Sequence, residues 1–473
     1  MTKEFKLLIN GKRVRTSSEH MVASPYDGSV VGTAYFADRG LLNEAVEGSL
    51  KAFEALKRLP SYRKAELLRK VVEGIEFRRE ELARLIALEA GKPIKDARVE
   101  VHRAATTFRI ALEEAKRLGG EVIPLDLAAG SEGRFGIVRR FPIGPVLGIT
   151  PFNFPLNLVA HKAAPAMACG NPIIIKPAIK TPLTAIALGE IITEAGWPDG
   201  GVNVVLCPDE DTGWLFEDER IRKLSFTGSA KVGWMLKGRA GTRRVTLELG
   251  GNAGAIVHSD ADLDYAAKRC AIGAFSNAGQ ICVSVQRIYV EKSVYERFKD
   301  TFIGICRGLK LGDPMNESTD VGPMIEEGAA LRAEEWVKEA VAGGAQALIG
   351  GGRRGSLFEP TVLTGAKPSM KVCAEEVFAP IVTLESYDTF EGAVEEVNRG
   401  AYGLQAGVFT KDMGRVFYAY ERLNVGGVII NDVPTYRVDN MPYGGVKQSG
   451  FGREGVRYAI EEMTELKVLA VNV

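Results

Sequence analysis

The chain has 473 residues, 60 of them Lys or Arg and 60 Asp or Glu, so its formal net charge is zero. That balance gives no bulk field for gathering nucleic acid or an anionic membrane surface. With 46% apolar and 25% charged residues it has the composition of a soluble globular protein, and at about 100–200 residues per domain its length predicts two to four domains.

Near the start, MTKEFKLLINGKRV lacks the apolar core of a signal peptide. Leu42, Val46, Leu50, Phe53 and Leu56 then recur at spacings of three and four, the mark of one apolar helix face, and Leu67, Val71 and Ile75 repeat it. A third helix is predicted over residues 97–116, closed by Gly119 and Gly120. Residues 121–141 read as two strands around a Gly-rich turn, an extended hairpin.

From Val146 the texture changes to short apolar runs alternating with helical segments. The predicted strands are 146–150, 173–176, 202–206, 223–226 and 245–249, with a helix over 182–195 closed by Gly196. Such alternation implies parallel pairing in a layered α/β sheet. A second alternation begins after Asn252, with a strand at 255–257, a helix near 261–278 and a strand at 287–290, and predicts a second α/β domain. The last ten residues, TELKVLAVNV, read as a strand with no following partner. A neighbouring subunit is the expected source of that partner, giving a homo-oligomer built by strand exchange; pairing with the hairpin inside the chain is the alternative. The longest apolar-leaning stretch, 142–179, is broken by Pro151, Pro155, His161, Lys162, Pro165 and Pro172, short of the roughly 20 apolar residues a membrane helix needs.

Six cysteines, with no CxxC pair and no metal-ligand spacing, fit a reducing cytosol and predict a cytoplasmic protein without a metal. No GxGxxG fingerprint is present. The nearest phosphate-binding turn is the one at Gly228 and Ser229, directly after a strand and opening a helix, where backbone N–H groups can receive a diphosphate. By itself that pattern is more often only a turn. Cys282 follows a Gly-containing turn, as an accessible nucleophile would, although most intracellular cysteines are inert core. Glu248 lies in an apolar strand just before a Gly pair, where burial would raise its pKa toward that of a general base; a carboxylate bonded to backbone is the bland reading. Asn153, in PFNFP after the first of these strands, carries an amide able to donate to an oxyanion.

Taken in order, PFNFP, IIIKPA, FTGS, LELGG, FSNAGQIC, EEVFAP and MPYGGVKQSGFGREG resemble the aldehyde dehydrogenase superfamily over nearly the whole chain. The resemblance implies a Rossmann-type cofactor domain (1–120 and 142–250), an α/β catalytic domain (251–455) and a β-hairpin oligomerisation arm (121–141 and 456–473), assembled as a dimer or tetramer. It implies that Cys282 attacks the aldehyde to give a thiohemiacetal and then a thioester. Asn153 and the Cys282 N–H would hold the oxyanion, and Glu248 would activate the hydrolytic water. NAD or NADP would lie on Thr150, Pro151, Phe152, Lys176, Gly228 and Ser229, with Glu376 and Phe378 at the nicotinamide ribose.

Departures from the family's pattern sharpen the expectation. Ile179 stands where many NAD-preferring relatives carry a glutamate that repels a 2′-phosphate, so NADP is expected to be accepted, drawn by Lys176 and Lys180. Phe152 replaces a common Trp. Arg103 and Arg437 loosely match positions where relatives acting on anionic or hydroxylated aldehydes place substrate arginines. Ile281, where several phosphate-type relatives have Arg, shifts the expectation toward lactaldehyde or glycolaldehyde. The alternatives are phosphonoacetaldehyde, succinic semialdehyde or glyceraldehyde 3-phosphate, a CoA-acylating semialdehyde enzyme, or a non-catalytic family member. His161 and His102 have no partner pattern and read as structural.

Overall fold

The computed structural model describes residues 3–473. The short apolar runs become the centre of an eight-stranded sheet. Its five middle strands run parallel in the order Val202–Val204, Ile173–Lys176, Val146–Ile149, Lys223–Thr227 and Arg244–Glu248. Every residue of Val146–Ile149 and Ile173–Lys176 is buried, because helices cover both faces, and strands so placed read as continuous apolar runs. The helices Arg39–Leu56, Ser61–Phe77 and Ile94–Arg117 contribute Leu42, Val46, Leu68, Val71, Ile75 and Phe108 to the same core. Leu50, expected on the apolar face of the first, points outward, and Ser49 is buried instead.

A second sheet holds seven strands in the order Gln346–Ile349, Thr361–Thr364, Ile381–Tyr387, Val285–Glu291, Ala253–Val257, Gln405–Phe409 and Gly427–Ile430. All its pairs are parallel except the first. The two layers are laced together late in the chain. Gly450–Phe451 pairs antiparallel with Leu247 and Glu248 at the edge of the first sheet, and the helix Val456–Glu462 buries Val456 and Ile460 in the first core. Residues 456–463 are therefore not part of the arm as expected; their apolar face is committed to the first layer.

The arm itself differs from expectation in one respect. Thr464–Asn472 is not left without a partner: it pairs along its whole length, antiparallel, with Arg134–Pro142, which pairs in turn with Gly120–Pro124. The ladder runs over nine residue pairs, a contact between positions some 320 apart that local patterning cannot announce. Strand exchange is thus not needed to complete this sheet. Both of its outer strands remain edges, and Val122, Leu127, Leu466, Val468 and Leu469 are exposed on the arm. No helix among the described residues is long and apolar enough to cross a membrane.

Candidate active site

In the first sheet the chemistry-bearing residues all gather at the carboxyl ends of the parallel strands, where α/β sheets open their binding crevices. Thr150 to Asn153 follow Val146–Ile149, Lys176 ends its strand, Gly228 and Ser229 follow Lys223–Thr227, and Glu248 ends Arg244–Glu248. Cys282 approaches from the second layer, on the segment before Val285–Glu291. A cavity of about 420 Å³ lies between them. Apart from Thr150 and Lys176, every expected site residue lines it: Pro151, Phe152, Asn153, Gly228, Ser229, Glu248, Cys282, Glu376, Phe378, Arg103 and Arg437.

The approach to Cys282 is tightly constrained. Asn277, Ala278 and Gly279 are successive left-handed residues, with φ of 50°, 53° and 68°. For the two that carry a Cβ this conformation costs about 1–3 kcal/mol each, so surrounding contacts must hold it. At Gly279 a Cβ would fall 2.1 Å from the Ala379 carbonyl, and at Gly251 one would fall 2.2 Å from the Cys282 carbonyl. The glycine of the LELGG segment is thus what lets the Cys282 backbone approach the end of the Glu248 strand. The Cys282 sulfur lies 3.0 Å from the Tyr443 hydroxyl. Enclosure by protein pushes its thiol up to about 11, with the Tyr443 hydrogen bond opposing that rise.

Asn153 donates from Nδ2 to the Gln280 carbonyl at 2.8 Å, tying its loop to the turn that carries Cys282. The loop is also clamped from the helix Ile94–Arg117. Glu100 accepts from the backbone N–H groups of Leu156 (2.9 Å) and Asn157 (3.1 Å), capping the next helix. Lys92 pairs with Glu100 and lies 3.6 Å from the Phe154 ring centroid.

Glu248 is buried, and among the described residues neither of its carboxylate oxygens has a hydrogen-bond partner. Burial and the nearby charge of Glu454 raise its pKa well above the ordinary carboxylate range. Glu454 goes the other way: burial opposes ionisation, but Lys162, His161 and Arg437 more than compensate and hold it near 2. Lys162 spends its three donors on Glu454 (2.9 Å), Thr227 (2.7 Å) and Ser225 (3.2 Å). The two carboxyls have pKa values pushed apart, Glu248 upward as a general base needs and Glu454 downward as a fixed anion beside it.

The deep wall is built from charged groups on three elements. Arg103 donates to Asp439 at 2.7 Å, and Asp439 also meets His161 Nε2 at 2.8 Å. Arg437 approaches Glu454 at 3.4 Å and stacks 3.6 Å from the Tyr443 ring centroid. The Nε groups of Arg103 and Arg437 are buried and have no partner among the described residues. His161, expected to lack a partner, has Asp439 and faces Arg437; burial and the Arg437 charge lower its pKa against the pull of Asp439. His102 is exposed and takes no part.

Toward the mouth, Ser229 caps the helix Ala230–Gly238, its hydroxyl accepting from the Val232 N–H. Glu376 accepts one bond, from the Gly251 N–H at 3.1 Å, and burial lifts its carboxyl to about 7. At Gly250 a Cβ would strike that carboxylate. The Thr150 hydroxyl is buried and unpartnered among the described residues. An open helix N-terminus, an under-used carboxylate and an orphaned hydroxyl in one groove fit a dinucleotide with its diphosphate and ribose hydroxyls. The Lys176 ammonium pairs with Asp209 at 2.5 Å, and Lys180 pairs with Glu326. Asp209 opens a helix whose first turn also holds Glu210 and Asp211, so the strand-end cation meets a local negative charge.

Sequence reasoning passed over Tyr443, Glu454, Lys162, Asp439 and Asp209. The first two lie inside the MPYGGVKQSGFGREG segment, whose density of glycines around single polar residues was an available signal. Lys162, an ionic residue in an otherwise apolar helix, was another.

The sequence model of the aldehyde dehydrogenase family matches residues 14–469. The chain is 45% identical over 472 residues to the 3-sulfolactaldehyde dehydrogenase of Priestia megaterium, covering 99% of this chain and 98% of that protein. Among solved structures it resembles aldehyde dehydrogenase 21 of Physcomitrella patens in complex with the reaction product succinate, with a TM-score of 0.98 and 44% identity over 100% of this chain and 99% of that one. It also resembles a glyceraldehyde-3-phosphate dehydrogenase of Methanocaldococcus jannaschii complexed with NADP, with a TM-score of 0.93 and 39% identity over 97% and 100% of the respective chains.

Proposed function

We propose that this chain, which belongs to the aldehyde dehydrogenase family and oxidises aldehydes with NAD(P)+, acts on a short aldehyde with an anionic tail and releases the free carboxylic acid. The charge of the deep wall carries this reading. Lys162, Arg103 and Arg437 face two carboxylates held ionised, Asp439 and Glu454, while burial disfavours charge on Glu248, and two guanidinium Nε–H groups have no partner among the described residues. A guanidinium is suited to a carboxylate, sulfonate or phosphate. The named relatives, with sulfolactaldehyde, succinate and glyceraldehyde 3-phosphate in their descriptions, support the same class. A neutral hydroxyaldehyde such as lactaldehyde or glycolaldehyde is the second reading, favoured by the carboxylate each arginine already holds.

In this mechanism the Cys282 sulfur attacks the aldehyde carbon, and the Asn153 amide and the Cys282 N–H receive the oxyanion of the thiohemiacetal. Bound NAD(P)+ supplies the hydride acceptor, with Thr150, Gly228, Ser229, Glu376 and Phe378 holding it. Glu248 takes a proton from the water that hydrolyses the Cys282 thioester, and Lys162 and Glu454 behind it disperse the charge. The glutamate favours hydrolysis over transfer to CoA. A cytoplasmic homo-oligomer, dimer or tetramer, belongs to the same proposal: an exposed apolar arm with two open edges is a surface for a second copy. The division into a cofactor domain and a catalytic domain is retained, with the arm limited to 121–141 and 464–473.

The test is a panel of succinic semialdehyde, sulfolactaldehyde, glyceraldehyde 3-phosphate, lactaldehyde and glycolaldehyde, each with both cofactors. Arg103→Gln is expected to raise KM for the preferred anionic aldehyde about 10–100-fold, the scale of one charge-assisted hydrogen bond. For a neutral aldehyde KM should hardly move; an equal rise for both removes Arg103 from tail recognition. Both cofactors are expected to work, with Asp209 opposing a 2′-phosphate. Asp209→Asn should therefore raise kcat/KM for NADP relative to NAD by about tenfold. An unchanged ratio places the discrimination elsewhere.

A further inference from the structure

We infer that Tyr443 is a catalytic residue of this site: its hydroxyl donates to the Cys282 sulfur and stabilises the attacking thiolate, with the Arg437 guanidinium on its ring strengthening the donor. The inference rests on the reading of Cys282 as nucleophile. A sulfur enclosed by protein needs some favourable field to ionise; the Arg437 charge supplies a lesser part of it than the Tyr443 hydrogen bond, and no cation contacts the sulfur. Lys162 has all three donors engaged on Ser225, Thr227 and Glu454. The carboxyls facing the sulfur, Glu376 and Glu248, disfavour a thiolate. The side chain that contacts it is Tyr443, at 3.0 Å from oxygen to sulfur.

Tyr443 is held for this contact. Its backbone exchanges hydrogen bonds with Glu454, at 3.0 Å in one direction and 2.7 Å in the other. Its ring packs with Val283 and Leu404, with Ile281 and Cys282 against it, in a small apolar nest of its own. Burial, with Cys282 and Glu248 nearby, raises the phenol well above its ordinary range despite Arg437, so the hydroxyl keeps its proton to donate at neutral pH. The Arg437 guanidinium lies 3.6 Å from the ring centroid and draws electron density from the phenol, which makes its O–H a better donor.

The experiment follows iodoacetamide alkylation of the full-length enzyme across about pH 6 to 11, read at the Cys282 peptide by mass spectrometry. Tyr443→Phe is expected to lower the alkylation rate about tenfold at every pH on the limb below the midpoint, which is an upward shift of about one unit. The acid limb of kcat/KM should move with it, at an unchanged Tm. Site-specific 3-fluorotyrosine at position 443, a stronger donor of nearly the same size, should move the midpoint down, a reversal that a packing role does not produce. It also keeps the test open if Tyr443→Phe fails to fold. A midpoint unmoved by the substitutions overturns the inference while leaving Cys282 as nucleophile. Full turnover in Cys282→Ala overturns the reading beneath it.

Discussion

Cys282→Ala is expected to lower aldehyde-dependent NAD(P)H formation by at least about four orders of magnitude, because no other group on the cavity replaces a covalent attack on the carbonyl. Dinucleotide binding should be retained, since the residues proposed to hold it (Ser229, Glu376, Thr150) lie on other elements. The measurement is steady-state absorbance at saturating aldehyde beside a fluorescence titration of cofactor. The other cysteines offer no substitute: Cys169, Cys207, Cys270, Cys306 and Cys373 are all buried. Turnover within tenfold of the parent would remove Cys282 from the chemistry.

The second large effect is on the second half-reaction. Glu248→Gln keeps the shape of the carboxyl but cannot accept a proton, so the thioester should form at the parent rate and hydrolyse about 10²–10⁴-fold more slowly. Rapid mixing should show a burst of NAD(P)H equal to the sites present, then a slow steady state, with the acyl adduct visible by intact mass. The pH profile adds a sign. The buried Glu248 carboxyl ionises only above the ordinary carboxylate range, so hydrolysis in the parent should be weak in acid and rise with pH through that elevated pKa. In the glutamine variant that rise should vanish. A parent-like steady state after substitution would assign the base elsewhere.

Much of the architecture is legible in the sequence because parallel strands buried on both faces are largely apolar, as Ile173, Ile174 and Ile175 are. The hairpin arm is legible as two strands around glycines. The partner of the C-terminal strand is not, since its ladder to Arg134–Pro142 depends on the whole intervening fold. The same divide runs through the site. Cys282, Glu248 and Asn153 stand in local patterns that show themselves one segment at a time. The groups around them do not: Lys162 with Glu454, His161 with Asp439, and Lys176 with Asp209 are pairings between distant segments. An isolated His or Lys in an apolar helix announces a buried partner without naming it, and Ile179 drew attention from the acidic turn at Asp209 that meets Lys176.

The late segment 450–462 has a consequence for how the molecule comes into being. Gly450–Phe451 closes the sheet beside Glu248, and Val456–Glu462 seals the first core, yet the entire second sheet intervenes in the chain. The first layer cannot finish folding when its own strands are complete; it waits until a loop of about 200 residues has organised and returned, a closure that slows the search for the native state. Until then its edge at Glu248 is open and available to another chain, the situation in which folding intermediates of large proteins aggregate. A fragment ending near residue 250 would inherit that open edge permanently, so the two layers are one folding unit despite their separate cores.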